Sequence, residues 1–199
     1  MDYTTLLRVK TAMDSKETTA DADLLDYITR ASRVIDNLCV GVPGGQNYFG
    51  TETIVDELLT NGLIDSYGVL RVYPHKPAIQ TVSAFSYRFG LTRPWSDVDL
   101  ARVAPEGGPL VVYEGNLCYS ERVYARISYT GGLGLTVDDL PADLVDIATL
   151  MAIRLYKEER SGLGDSIGVA ELGGMVYTKA IPERVRVVLA AYTRIEPWM

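Results

Sequence analysis

The hydrophobic period changes twice along this chain, and that change limits its possible folds more than any single motif. From Asp21 to Val40, residues Leu24, Ile28, Ala31, Ile35 and Leu38 step by four, three, four and three. That spacing lays them along one stripe of an α-helix. Thr19 or Asp21 offers an oxygen to the free amides of its first turn, and Gly41–Val42–Pro43–Gly44–Gly45 stops it. A shorter helix is expected before it, over roughly Tyr3–Met13. Past Gln46 the period falls to two. Val69–Tyr73 alternates, and Ile79–Tyr87 is rich in β-branched and aromatic residues. In Glu121–Tyr129 the residues Val123, Ala125, Ile127 and Tyr129 share one face, opposite Tyr124, Arg126 and Ser128. Leu110–Glu114 precedes that segment across Gly115–Asn116, which suggests that the two pair as a hairpin.

The helical period returns after Thr130–Gly131–Gly132–Leu133–Gly134. Pro141 fits a first helical turn, where its missing N–H costs nothing. Leu144, Ala148, Met151 and Leu155 then form a stripe that Ile147 and Ala152 widen. A final helix is expected from Pro182, burying Val185, Val188, Leu189 and Tyr192. The expected fold class is therefore α+β and mainly helical: a small helical bundle interrupted by a β-rich insertion between the second and third helices. Residues 1–45 and 130–199 would form one discontinuous helical domain, and residues 46–129 the inserted module.

Charge and composition narrow the function. Twenty-six Asp and Glu outnumber nineteen Lys and Arg, for a net charge of −7. A protein that grips a nucleic-acid backbone needs clustered cations, so that class is disfavoured. The apolar runs are too short to span a bilayer, and Met1–Lys10 lacks the basic-then-apolar pattern of a signal peptide. The chain is thus expected to act inside the cell that makes it. Cys39 and Cys118 are expected to be a reduced pair.

No catalytic constellation stands out, and no catalytic, cofactor-binding or metal-ligating residue is assigned. The glycine clusters at 41–45, 131–134 and 162–168 contain neither GxxxxGK[ST] nor a clean GxGxxG between strand and helix. Thr130–Gly134 comes nearest, since it follows a strand. However, Asp138 and Asp139 stand between it and the next helix, where they would repel a phosphate. Asp138, Asp139, Asp143 and Asp146 read as first-turn and solvated acids, and Glu52, Asp56 and Glu57 as equally ordinary ones. His75, between two prolines, reads as a turn residue with no visible partner. Trp95, in a loop of the β module, and Trp198, near the end of the chain, are candidate partner contacts, because an exposed indole is unfavourable in water.

The order of these elements resembles that of head–tail connector proteins of tailed bacteriophages. Asp21, Leu24, Ile28, Ala31, Ile35 and Asp36 follow the spacing of that family's early helix. Tyr129–Thr130–Gly131–Gly132 matches its aromatic–Thr–Gly–Gly turn. Pro141, Asp143 and Leu144, leading through Ala148 to Leu155, Tyr156 and Arg160, match its P-x-D-L helix. Pro182, Leu189 and Tyr192 match its terminal helix. The resemblance covers about half the chain, in two blocks, and the long β module departs from the compact members.

The resemblance implies a structural, non-enzymatic virion subunit, made in the host cytoplasm, with no cofactor and no membrane. Its partners would be copies of itself in a homo-oligomeric ring, expected to be a dodecamer, the portal protein above, and a stopper or tail-completion protein below. DNA would pass through without sequence-specific binding, and an acidic wall would keep it from sticking. Portal docking would fall to the C-terminal residues Tyr192, Arg194, Ile195, Pro197, Trp198 and Met199. Two alternatives stand beside this one. The first is a small nucleotide- or metal-dependent enzyme using residues 130–134 and the nearby acids. The second is a generic binding module that recognises a protein or glycan through its tyrosines and Trp95.

Overall fold

The computed structural model describes residues 1–40, 47–118, 122–160 and 181–193. The chain divides into two compact units, one comprising Met1–Asn47 with Leu140–Thr193, the other Tyr48–Asp139.

Among the described residues the first unit holds four helices: α1 (Leu6–Ala12), α2 (Asp21–Val40), α3 (Ala142–Arg160) and α4 (Glu183–Ala190). Thr5 caps α1 by accepting from the Arg8 amide. On α2 the stripe buries Leu24, Ile28, Ala31 and Ile35, while Leu38 is only half-buried. Tyr27, Ser32, Asp36 and Cys39 complete the inner face. On α3 the buried set is Leu144, Val145, Ile147, Ala148, Met151, Ala152 and Tyr156. Tyr27 and Tyr156 meet edge to face with centroids 5.7 Å apart, joining α2 to α3. Each fully buried Leu or Ile contributes about 1.5–3 kcal/mol, so the helical unit rests mainly on this α2–α3 seam. Among the described residues no helix is long and apolar enough to cross a membrane.

The second unit is a seven-stranded antiparallel sheet. Its strands are β1 (Glu52–Ile64), β2 (Val69–Val72), β3 (Ile79–Phe89), β4 (Ser96–Asp97), β5 (Val103–Pro105), β6 (Val111–Glu114) and β7 (Val123–Gly131). They lie in the order β4-β3-β7-β1-β2-β6-β5. Phe85 and Tyr87 of β3 reach Tyr113 of β6, with centroids 5.9 and 5.7 Å apart, although three strands separate β3 from β6 in the sheet. The sheet is therefore rolled into a half-barrel. Its interior is a cluster of Leu59, Leu70, Val72, Phe85, Val111, Ile127 and Tyr129 with their neighbours.

This corrects the expectation of a mainly helical protein. Among the described residues the dominant element is the rolled sheet, and the helices are four. The reason lies in β1, which has 13 residues and whose alternation is broken twice. Its register against β7 shifts between Ile54 and Glu57 and again between Leu59 and Gly62. At the first shift Asp56 adopts a left-handed φ of 54°, and its amide donates to Ser128 Oγ at 3.0 Å. A bulge of this kind resets which side chains face inward, so no single two-residue period runs through the strand. The expected hairpin is corrected as well. β6 pairs with β2 and β5, whereas β7 lies between β1 and β3. Cross-strand partners chosen over this distance leave no local signature in Gly115–Asn116.

Candidate functional site

Three regions were singled out by sequence: the glycine turn, the expected docking residues and Trp95. In the glycine turn, Thr130 and Gly131 are the last residues of β7. Gly132 takes a φ of 133°, and a Cβ there would lie 2.5 Å from the Gly50 carbonyl oxygen. Only glycine allows the two backbones to approach so closely. The Gly132 amide donates to Ala78 O at 2.8 Å and the Leu133 amide to Phe49 O at 2.7 Å. The Leu135 and Thr136 amides both donate to Asp139 Oδ2, at 3.2 and 2.9 Å. These amides, joined by the Thr136 hydroxyl, hold the Asp139 carboxyl below the usual carboxylate range. The amides a phosphate would need are committed within the fold. Among the described residues no group of three or more His, Cys, Asp or Glu side chains is placed to share a metal ion.

Of the expected docking residues, Tyr192 is described and Arg194, Ile195, Pro197, Trp198 and Met199 lie outside the described residues. Tyr192 follows α4, and its hydroxyl donates to both oxygens of Asp143, at 2.9 and 3.1 Å. Partial burial, reinforced by Asp143, pushes the phenol up to about 12. Tyr192 thus ties the end of α4 to the first turn of α3.

Trp95 stands in the loop between β3 and β4, under two guanidiniums. Arg88 of β3 lies 4.5 Å from its ring centroid and Arg126 of β7 5.1 Å. Tyr124, also on β7, has Arg88 at 5.5 Å and Arg122 at 5.6 Å. Sheet register creates this cluster: Arg88 is opposite Tyr124, and Arg126 is opposite Ser86 on one side and Leu58 on the other. All these side chains lie on the face opposite Val123, Ala125 and Ile127, on the outside of the half-barrel. The outward face of β7 is legible in the sequence. Its meeting with Arg88 and Trp95 is not, because about thirty residues intervene.

A further group was missed altogether. Glu57 accepts from the Tyr129 hydroxyl at 2.5 Å and from the His75 amide at 3.1 Å, and its carboxylate also meets His75 Nδ1. Beside it, the buried Lys76 donates to Gly50 O at 3.0 Å and pairs with Glu52 at 2.6 Å. Burial, then the Glu57 charge, raises the Tyr129 phenol well above its ordinary value, so it serves as a hydrogen-bond donor and not as a base. The group pins the Pro74–Pro77 turn to β1 and β7. The only sequence signal was Glu57 itself, an acid inside a strand.

No protein-family model matches the chain, and no curated protein matches it. Solved structures do. A chain from the neck of an empty gene transfer agent (GTA) particle, computed with C6 symmetry, is 16% identical with a TM-score of 0.54, covering 97% of this chain and 90% of its own. A chain from the virion of a native GTA particle is 15% identical with a TM-score of 0.53, over the same shares. At this identity the likeness shows the fold, which is shared with chains of a GTA particle.

Proposed function

We propose that this chain is a structural subunit of the head–tail connector of a phage-like particle. It would form a ring beneath the portal that extends the DNA channel and seats a stopper or tail component. The observation that carries this reading is the fold likeness, over 97% of the chain, to a chain from a GTA neck. The family resemblance read from the sequence points the same way through a separate set of residues. The helical unit would be the connector body and the half-barrel its inserted module. The residues from Tyr192 onward would dock on the portal, and copies of the chain would close the ring, a dodecamer on the family resemblance. The enzyme alternative draws no support from the glycine turn, whose amides are occupied, or from Asp139, which caps its own loop.

The test is light scattering coupled to size exclusion, followed by negative-stain imaging, on the chain alone and mixed with the portal protein of its own particle. Closed rings are expected, or a portal complex that disappears when Thr193–Met199 is deleted. A strict monomer indifferent to the portal would overturn the reading.

A further inference from the structure

The outer face of the half-barrel carries positive charge on an acidic protein. Of the seven Lys and Arg residues in 48–139, Arg88, Arg122 and Arg126 converge on Trp95 and Tyr124. Their hydrogen bonds within the fold are poor. Arg88 Nε is buried and has no hydrogen-bond partner among the described residues. Arg126 Nε reaches Ser86 Oγ at 3.3 Å and stands 3.7 Å from Asp56, an exposed carboxylate. Arg122 reaches Thr60 O at 3.4 Å. A guanidinium stacked on a ring is held flat while its N–H edge stays open to a planar oxyanion, which it binds through paired hydrogen bonds. Beside them Leu58, on β1, is 52% exposed.

Two kinds of occupant have oxyanions to offer, a phosphodiester backbone and a protein carboxylate. The observations favour the protein. Trp95 and Tyr124 each already have two guanidiniums within 5.6 Å of the ring centroid, and these compete with a base for stacking. The chain as a whole, at −7, repels a duplex. Arg, Trp and Tyr around an exposed Leu are the side chains that dominate protein–protein contacts. A second copy of this chain, with 26 carboxylates, complements the cluster in charge.

We infer that the Arg88–Arg122–Arg126 face, with Trp95 and Tyr124 beneath it, receives acidic side chains of a neighbouring copy and is one half of the head-to-tail contact that closes the ring. This rests on the ring reading above. A contact between unlike surfaces is what a closed ring of one chain requires.

The test uses the full chain in whichever state the wild type assembles, alone or on the portal. R122E and the double substitution R88E/R126E are compared with wild type by sedimentation velocity and negative stain, and circular dichroism checks that each remains folded. R122E alters an exposed residue and serves should the double variant misfold. Self-association weakened roughly tenfold or more by R122E, together with loss of wild-type assembly on raising salt, is the expected result. Rings that form normally from folded variants would overturn this inference and leave the connector reading standing. A wild-type chain that assembles in neither state would overturn both. Duplex DNA retarded by wild type and released by R122E, with self-association unchanged, would reassign the face to nucleic acid.

Discussion

The helical unit and the sheet unit each tie distant segments to a single carboxylate, and they compensate its charge differently. In the helical unit Asp36 is fully buried; it accepts from the Tyr3 hydroxyl, from Arg33 Nη1 at 2.7 Å and from the Asn47 amide at 2.9 Å. A guanidinium on the same helix neutralises it. In the sheet unit Glu57 receives a phenol, a backbone amide and a half-exposed imidazole. The first hub is built around an ion pair and the second around a hydrogen-bond acceptor. A charge sealed from water needs a counter-charge, whereas a strand carboxylate that keeps some solvent can be held by donors.

The largest expected effect follows from that contrast. Asp36→Ala removes the acceptor of the buried Tyr3 hydroxyl and the nearest counter-charge of Arg33, and should cost about 3 kcal/mol, the low end for breaking a buried pair because Arg33 keeps some solvent, Met1 O at 3.1 Å and Asp2 at 3.8 Å. Asp36→Asn should recover little, since it cannot restore the charge. Urea unfolding of each variant measures both. If Asp36→Asn is nearly neutral, the ion-pair account of this hub is wrong.

Glu57→Ala comes next. It leaves the buried Tyr129 hydroxyl without its acceptor and should cost about 2 kcal/mol. Here Glu57→Gln should recover most of the loss, because the amide oxygen can still accept. Set beside the Asp36 pair, these two variants sharpen the comparison: the amide should rescue the sheet hub and fail in the helical one.

The same contrast explains what the sequence disclosed. Helical stripes are local, and Leu24, Ile28, Ala31 and Ile35 on α2 declared themselves by spacing alone. Asp36 did not, because an acid at that position is legible only once Tyr3 and Asn47 are known to converge on it. In the sheet, β7 showed its period and β3 its β-branched and aromatic composition, but the two register shifts of β1 hid a 13-residue strand, and with it the half-barrel. Trp95 could be picked out as an unusual loop residue. Its arginines could not, since strand order, not sequence distance, brings Arg88 and Arg126 to the same indole.

Tyr192→Phe tests a smaller link in the helical unit. Removing a half-exposed phenol–carboxylate bond should cost about 1 kcal/mol after allowance for solvent screening. The folded phenol holds its proton more tightly than the unfolded one. The tie is therefore intact below pH 10 and is lost as pH rises through about 12. Ultraviolet titration should show one tyrosine ionising near that value in wild type and missing from Tyr192→Phe. Loss of the tie without that spectral change would assign the high phenol elsewhere.

The smallest perturbation uses one cysteine in each unit as a reporter. Cys39 is buried on α2, three residues beyond Asp36, while Cys118 is exposed just past β6. Burial, then the Asp36 charge, pushes the Cys39 thiol up to about 12, so at pH 8 almost none of it is the reactive thiolate. A thiol reagent should therefore label Cys118 at once and Cys39 only as fast as the helical unit opens. The Cys39 rate then measures that unit alone. Asp36→Ala should accelerate it, since the α2 core opens more often, and Glu57→Ala should leave it unchanged. If Glu57→Ala accelerates Cys39 labelling as much as Asp36→Ala does, the two units open together, and each hub stabilises the whole chain and not its own half.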